Sequence, residues 1–309
     1  MKPTKKVTGS ILKVLRALAN YSGKNQIESY SLNEEDLSFT GKETGEKLSL
    51  FEYLTLTDSG TPRRILGQSV KSKKGQDKTN VLIAVVYLSP KNESGVDLCP
   101  WSAGCELVCL GNNTGHLRFD CSRVSRTKKT LFYWLFRAQF IAQLHREIRK
   151  HKAKAKRLGM LAAIRLNGST DILWEREANG SIPQAHPSIQ FYDYTKAPLS
   201  MRKDLPANYA LTFSLDEKPN AWRNAERYLL SGHNVAAVVA SEETEGKGLK
   251  RRAQMVAEDL VRLGFRGWDS INGDEHDARV LDEPGKVVVL YAKGPALQDR
   301  TGFVQRFNA

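Results

Sequence analysis

The chain has 309 residues, 40% of them hydrophobic, and 47 Lys and Arg against 34 Asp and Glu give it a formal net charge of +13. That length holds one large α/β domain or two ordinary ones with a real core. No run of about eighteen apolar residues is present, which excludes a membrane-spanning helix. Four cysteines do not make a secreted disulfide framework and point to a reducing compartment, while the positive charge favours an anionic partner, nucleic acid (DNA or RNA) first.

Taken in chain order, MKPTKKVTGSILKVLRALAN is basic and then apolar. Lys13 and Arg16 interrupt the apolar part, so it reads as an amphipathic helix, Ile11 to Ala19, rather than an export signal. A polar NEED stretch follows (Asn33 to Asp36), then an expected strand at Leu50 to Leu56, then a basic loop, KSKKGQDK (Lys71 to Lys78), able to touch phosphate or stay solvated. Residues 1–80 read as an accessory segment and 81–309 as the main domain.

From residue 81 apolar, β-branched runs recur: VLIAVVYL (81–88), MLAAIRLNG (160–168), IQFYDYT (189–195), YALTFS (209–214), NVAAVVAS (234–241) and VVVLYAKG (287–294), with WDSING (268–273) weaker. Continuous runs of this kind suit strands buried on both faces, and their alternation with helical segments implies a parallel sheet. The expected fold is α/β, a partial or complete parallel β/α barrel. Phe132, Phe136, Phe140, Leu144 and Ile148 recur every four residues and predict one long helix with an apolar stripe. Its distal part carries Arg146, Arg149, Lys150, Lys152, Lys154, Lys156 and Arg157, and Gly159 stops it. A second helix is expected at Leu249 to Leu263.

Three cysteines, Cys99, Cys105 and Cys109, crowd the loop CPWSAGCELVC after the first run. Thiolates suit iron–sulfur clusters and zinc. Leu98, Leu107, Val108 and Leu110 offer an apolar shell against water. A zinc site would draw a fourth ligand from Cys121 or His116; plain buried thiols are the third reading. Polar groups gather at the ends of the later runs: Asn167, Gly168, Asp171 and Glu175; Asp193, Tyr194 and Lys196; Ser214, Asp216 and Glu217; Asp274, Glu275, His276 and Asp277; Lys293. In parallel sheets ligands bind at that end. Asp193 and Lys196 are the proton-transfer candidates, each open to pKa tuning if buried beside the other.

The chain resembles the gene product 88-like family of phage and plasmid proteins. The matching blocks run in order: YLSP (87–90), CPWSAGCELVCLG (99–111), RLNGSTDILWE (165–175), QFYDYTK (190–196), NYALTFS (208–214), NVAAVV (234–239), INGDEHDAR (271–279) and AKGPALQDRTGFV (292–304). The resemblance implies a mobile-element origin and a place in the host cytoplasm. More distantly, a first strand followed by a three-cysteine loop and a helix is similar to the radical S-adenosylmethionine enzymes, which are partial β/α barrels. That likeness implies a [4Fe–4S] cluster on Cys99, Cys105 and Cys109, with its open iron binding S-adenosylmethionine. It also implies that the strand-end groups Asn167, Gly168, Asp171, Glu175, Asp274, Glu275 and Asp277 bind cofactor and substrate. The spacing here is C-x5-C-x3-C in place of that superfamily's C-x3-C-x2-C, with Val108 where an aromatic residue commonly stands. Two other readings stand beside it. One is a rolling-circle-type nuclease with Tyr192 or Tyr194 as nucleophile near Lys196 and a divalent metal on Asp274, Glu275 and His276. The other is a non-catalytic nucleic-acid binder with a structural metal.

Overall fold

The computed structural model describes residues 1–22, 29–68, 76, 78–91, 93–109, 115–178, 180–202 and 204–308. Most of the basic loop at 71–78 and the side chain of His116 lie outside the described residues.

The accessory segment begins with α1 (Gly9–Ala19), where Thr8 caps the first turn through Ile11 N and Ile11, Leu15, Leu18 and Ala19 face inward. Strands β1 (Tyr30–Asn33), β2 (Ser38–Gly41) and β3 (Lys47–Ser49) form an antiparallel meander. The NEED stretch makes its first turn, with Glu35 N donating to Asn33 Oδ1 and Ser38 N to Asp36 Oδ1. The expected strand at 50–56 is instead a helix, α2 (Leu50–Thr55). Ser49 and Glu52 form a reciprocal capping box that satisfies two free amides and starts the helix, and this local chemistry outweighs the apolar run. These elements are not set apart: Leu15, Phe39, Tyr53 and Ile65 share one core with the main sheet.

Strands β4 (Leu66–Gly67), β5 (Val81–Val86), β6 (Leu161–Arg165), β7 (Gln190–Thr195), β8 (Tyr209–Ser214), β9 (Asn234–Ser241), β10 (Ser270–Asn272), β11 (Val287–Tyr291) and β12 (Gln305–Phe307) build a nine-stranded sheet. Its order is β10-β11-β9-β8-β7-β6-β5-β4, with β12 also on β9. Every pairing is parallel except β4 with β5. Strands β5 to β9 are laid down side by side in chain order. The order then jumps, because β11 inserts between β9 and β10, and among the described residues the sheet path ends at β4 and β10 with no pairing between them, so the sheet is open rather than a complete barrel. Val239 partners Tyr291 on one edge and Gln305 on the other, so β12 takes the β8 edge of β9 beyond the point where β8 leaves.

All six residues of β5 are buried. Leu82, Ala84 and Val86 belong to the main helix-side core, and Val81, Ile83 and Val85 to a second cluster on the other face, as the two-residue period requires. That second face is covered by Ala278 and Val280, from the segment that follows β10. The helix side carries α3 (Asp120–Leu135), α4 (Arg137–Arg157), α5 (Ala221–Leu230) and α6 (Leu249–Leu263). The apolar stripe expected on one helix spans two: the chain breaks at Phe136 (φ −132°, ψ 52°), while Phe132, Phe136, Phe140, Leu144 and Ile148 all stay buried. Gly159 ends α4 at φ +65°, a conformation that glycine adopts at no steric cost. Among the described residues no helix is long and apolar enough to cross a membrane.

Candidate functional site

Because β5 to β9 run parallel, their carboxyl ends open on one rim, and the cysteine loop lies across the part over β6 to β8. Three sets of bonds hold it there. On the β6 side, Asp171 N donates to Leu98 O (2.8 Å), Ser169 Oγ to Leu88 O (2.6 Å) and the Cys99 thiol to Ser169 O (3.6 Å). On the β8 side, Gly104 N donates to Glu217 Oε1 (2.6 Å) and Lys218 Nζ to Trp101 O. Across the loop's base, Lys91 pairs with Asp97 (2.9 Å) and Glu106 (3.5 Å). Gly104 leaves no room for a side chain, since a Cβ there would sit 2.6 Å from Thr301 Cβ and 3.1 Å from Glu217 Oε1. The C-terminal loop therefore closes directly over the turn that carries Cys105.

Cys105 and Cys109 lie near enough to Cys99 to act on its thiol. Burial pushes the Cys99 thiol up to about 12, and Cys109, Asp171 and Cys105 are near enough to push the same way. Cys105 in turn bears on Lys196. Cys121 stands apart, in α3, lining a cavity of about 220 Å³ with Tyr21, Thr57 and Arg63. Among the described residues no group of three or more Cys, His, Asp or Glu is drawn close enough to hold a single ion.

Lys196 leaves β7 toward β8, where its ammonium donates to Ser214 O (3.0 Å), Ser214 Oγ (3.1 Å) and Leu215 O (3.3 Å) and lies 4.6 Å from the Phe303 ring centre. Burial lowers its pKa, and Cys105, Asp216, Glu217 and Asp171 pull it back. Asp193 lies elsewhere, on the helix side of the sheet. It accepts from Asn167 N (2.6 Å), Tyr209 Oη (2.7 Å) and Asn167 Nδ2 (3.4 Å), and burial pushes it up to about 7. Asp193 is buried and Lys196 half-buried, and among the described residues they do not pair with each other.

The β6 loop is built around its own polar side chains. Asn167 Oδ1 accepts from Thr170, Ile172 N and Trp174, and its Nδ2 donates to Ile172 O. Gly168 passes so close to β5 that a Cβ would meet Val85 Cγ1 at 2.7 Å and Tyr87 at 2.6 Å. Asp171 accepts from Thr195 Oγ1 (2.8 Å), Lys196 N (2.8 Å) and Arg202 (2.9 Å), and Arg202 also clamps Glu175 (2.9 Å). Burial raises the pKa of both acids, and Arg202 pulls each back. Arg202 escaped the sequence reading. It stands alone in PLSMR with no motif around it, and only the meeting of two loops reveals it. Gly104 and Thr301 were missed as well; a glycine between two cysteines was the available signal for a close approach.

The other predicted groups lie toward the far edge. Asp274 accepts from Tyr291 N (3.0 Å) and pairs with Lys293. Glu275 and His276 line a cavity of about 560 Å³ with Trp268 and Asp282. Asp277 faces Tyr192 and Tyr194. Tyr194 lies with its ring centre 4.8 Å from the Arg165 guanidinium, Tyr192 is 2% exposed, and burial pushes both hydroxyls up.

Fold and site together define an α/β protein with an open, mostly parallel sheet and a three-thiol loop across its carboxyl rim. The chain belongs to the gene product 88 family, whose model matches residues 62–306, from just before β4 into β12. Neither the curated proteins nor the solved structures offer a match. None of these comparisons supports the likeness to radical S-adenosylmethionine enzymes.

Proposed function

We propose that Cys99, Cys105 and Cys109 hold a [4Fe–4S] cluster at the rim of the sheet, and that the protein is a mobile-element enzyme of the host cytoplasm acting on a nucleotide or nucleic acid. The observation that supports this reading is one loop over β6 to β8 that carries all three cysteines, with Cys105 and Cys109 near enough to Cys99 to act on its thiol. Their donor chemistry fits: soft thiolates select iron–sulfur clusters and zinc. A single zinc at about 2.3 Å from each sulfur would need its ligands gathered tightly, whereas a cluster spreads its cysteines over separate irons. Of the expected apolar shell Leu98 and Val108 are buried and would limit solvent access, whereas Leu107 is 73% exposed and Leu110 lies outside the described residues; the Lys196 ammonium beside Cys105 would offset the charge of three thiolates. When bound, such a cluster supplies single electrons to a molecule held at its open iron.

The chain's residues divide the remaining work. Asn167 commits its side chain to Thr170, Ile172, Trp174 and Asp193, and Asp171 and Glu175 commit theirs to Arg202, so all three shape the rim rather than meet S-adenosylmethionine. Beside the loop stand Lys196, whose ammonium is held by Ser214 and Leu215, and Glu217, whose buried Oε2 has no hydrogen-bond partner among the described residues. A tyrosine nuclease is less well supported, because Tyr192 is buried, Tyr194 half-buried, and desolvation pushes both hydroxyls up, away from the ionised form.

Metal analysis and a visible spectrum after anaerobic purification test the proposal. About four irons per chain with broad visible absorption, both lost in Cys105→Ala, support it. One zinc and no colour would make the loop structural, and a metal-free protein would overturn cluster and zinc alike.

A further inference from the structure

Helix α4 carries Arg146, Lys150 and Lys154 at intervals of four residues, so that one cation follows another about every 6 Å along one face. All three line a groove of about 830 Å³ between the helix and the sheet's β4 edge, and Arg64 joins them. The four side chains belong to exposed residues, and none forms an ion pair among the described residues. Glu147 is the one acid lining the groove, and it is occupied. It accepts from Ile65 N (3.1 and 3.0 Å), Leu66 N (2.8 Å) and Gln143 Nε2 (2.8 Å).

This arrangement selects its ligand. Glu147 caps the free amides at the start of β4, so the edge does not invite an added strand. Four cations facing a single acid leave the groove net positive, and a polyanion relieves their mutual repulsion while releasing its own counterions. A small anion would meet two of them at most. A row of charges at the helix repeat matches an anion that repeats on a similar spacing, as successive phosphates do along an extended strand. We propose that this groove binds the phosphodiester backbone of a nucleic-acid strand without reading its bases. The groove runs along the β4–α4 side, away from the cysteine loop, so this inference stands or falls independently of the cluster.

The test is fluorescence anisotropy of the full chain with short labelled single strands, one of DNA and one of RNA of the same sequence, across a salt series. Two triple variants are compared: Arg146→Ala/Lys150→Ala/Lys154→Ala in the groove, and Lys152→Ala/Lys156→Ala/Arg157→Ala, which removes equal charge from exposed positions of the same helix outside it. The wild type is expected to bind at least one strand. The groove variant should bind at least about tenfold more weakly, with the slope of log affinity on log salt reduced by about 2, while the second variant stays within about threefold of wild type. The better-bound strand identifies the sugar. No binding of either strand by the wild type, or equal weakening in both variants, would overturn the proposal, the latter by assigning the attraction to diffuse charge.

Discussion

The two halves of the rim answer the same problem differently. Over β6 to β8 the strand-end acids are buried, and Arg202, whose side chain is 0% exposed, joins Asp171 and Glu175 into one unit. Over β10 and β11 the strand-end acid Asp274 is met by Lys293, whose side chain is 41% exposed. An acid at the end of a parallel strand is thus not by itself a reactive acid. In the first half it is a joint between loops that positions the cysteines, and in the second it pins one strand to the next.

The sharpest way to break this contrast is Arg202→Met. The substitution leaves two buried carboxylates facing each other without a cation, and removing one partner of a buried ionic group costs about 3–5 kcal/mol. Denaturant unfolding should show a loss of that size, and a loss under about 1 kcal/mol would mean that the cluster of charges does not hold the rim.

Asp193 sits beside that unit but is answered chiefly by neutral donors, so its signature is a pH dependence. Its folded pKa is raised from the ordinary 3.8 to about 7. The folded state therefore binds the extra proton between those values, and stability falls as pH rises through the window. Burial lowers the pKa of His145, His151, His186 and His233, which works in the opposite direction. Asp282, raised to about 6, adds to the fall at lower pH. Subtracting an Asp193→Asn profile from the wild type removes these contributions. The difference should decline by about 2–4 kcal/mol between pH about 4 and about 7 and be level above. A flat difference would show that Asp193 ionises normally.

How much of this was legible depended on range. The runs at 81–88, 160–168, 189–195, 209–214, 234–241 and 287–294 all contain strands, and the helix at 249–263 stands where its spacing places it, because periodicity and burial on two faces are local signals. Helix α5 carried such a signal, with Ala221, Ala225, Tyr228 and Leu229 buried at helical spacing, yet was passed over beside the strands. The break at Phe136 has neither Pro nor Gly to announce it. Arg202 and Thr301 belong to a third category: each acts on a loop far away in sequence, so no window of the chain contains the information.

Gly104→Ala probes the loop rather than the joint beneath it. The added Cβ must displace Thr301 or the Cys105 turn, and overpacking of this kind costs about 1–3 kcal/mol. Pairing it with Thr301→Gly should restore most of the stability and, if the cluster is present, the iron content. No recovery would mean that the strain lies in the backbone of the turn.

The smallest effect belongs to the outer half. Lys293→Met removes the exposed partner of Asp274, and pairs at this exposure are worth under about 1 kcal/mol. Asp274→Ala should cost more, about 1–2 kcal/mol, because Asp274 Oδ2 also accepts from the Tyr291 amide and so fastens β11 to the turn after β10. The order of the two matters more than either value. If Asp274 held its place through charge, the two substitutions would cost the same and both losses would shrink in high salt. If it acts through the backbone bond, the Asp274 loss exceeds the Lys293 loss and survives salt. The acid is then a strand clasp that joins β11 to the turn after β10.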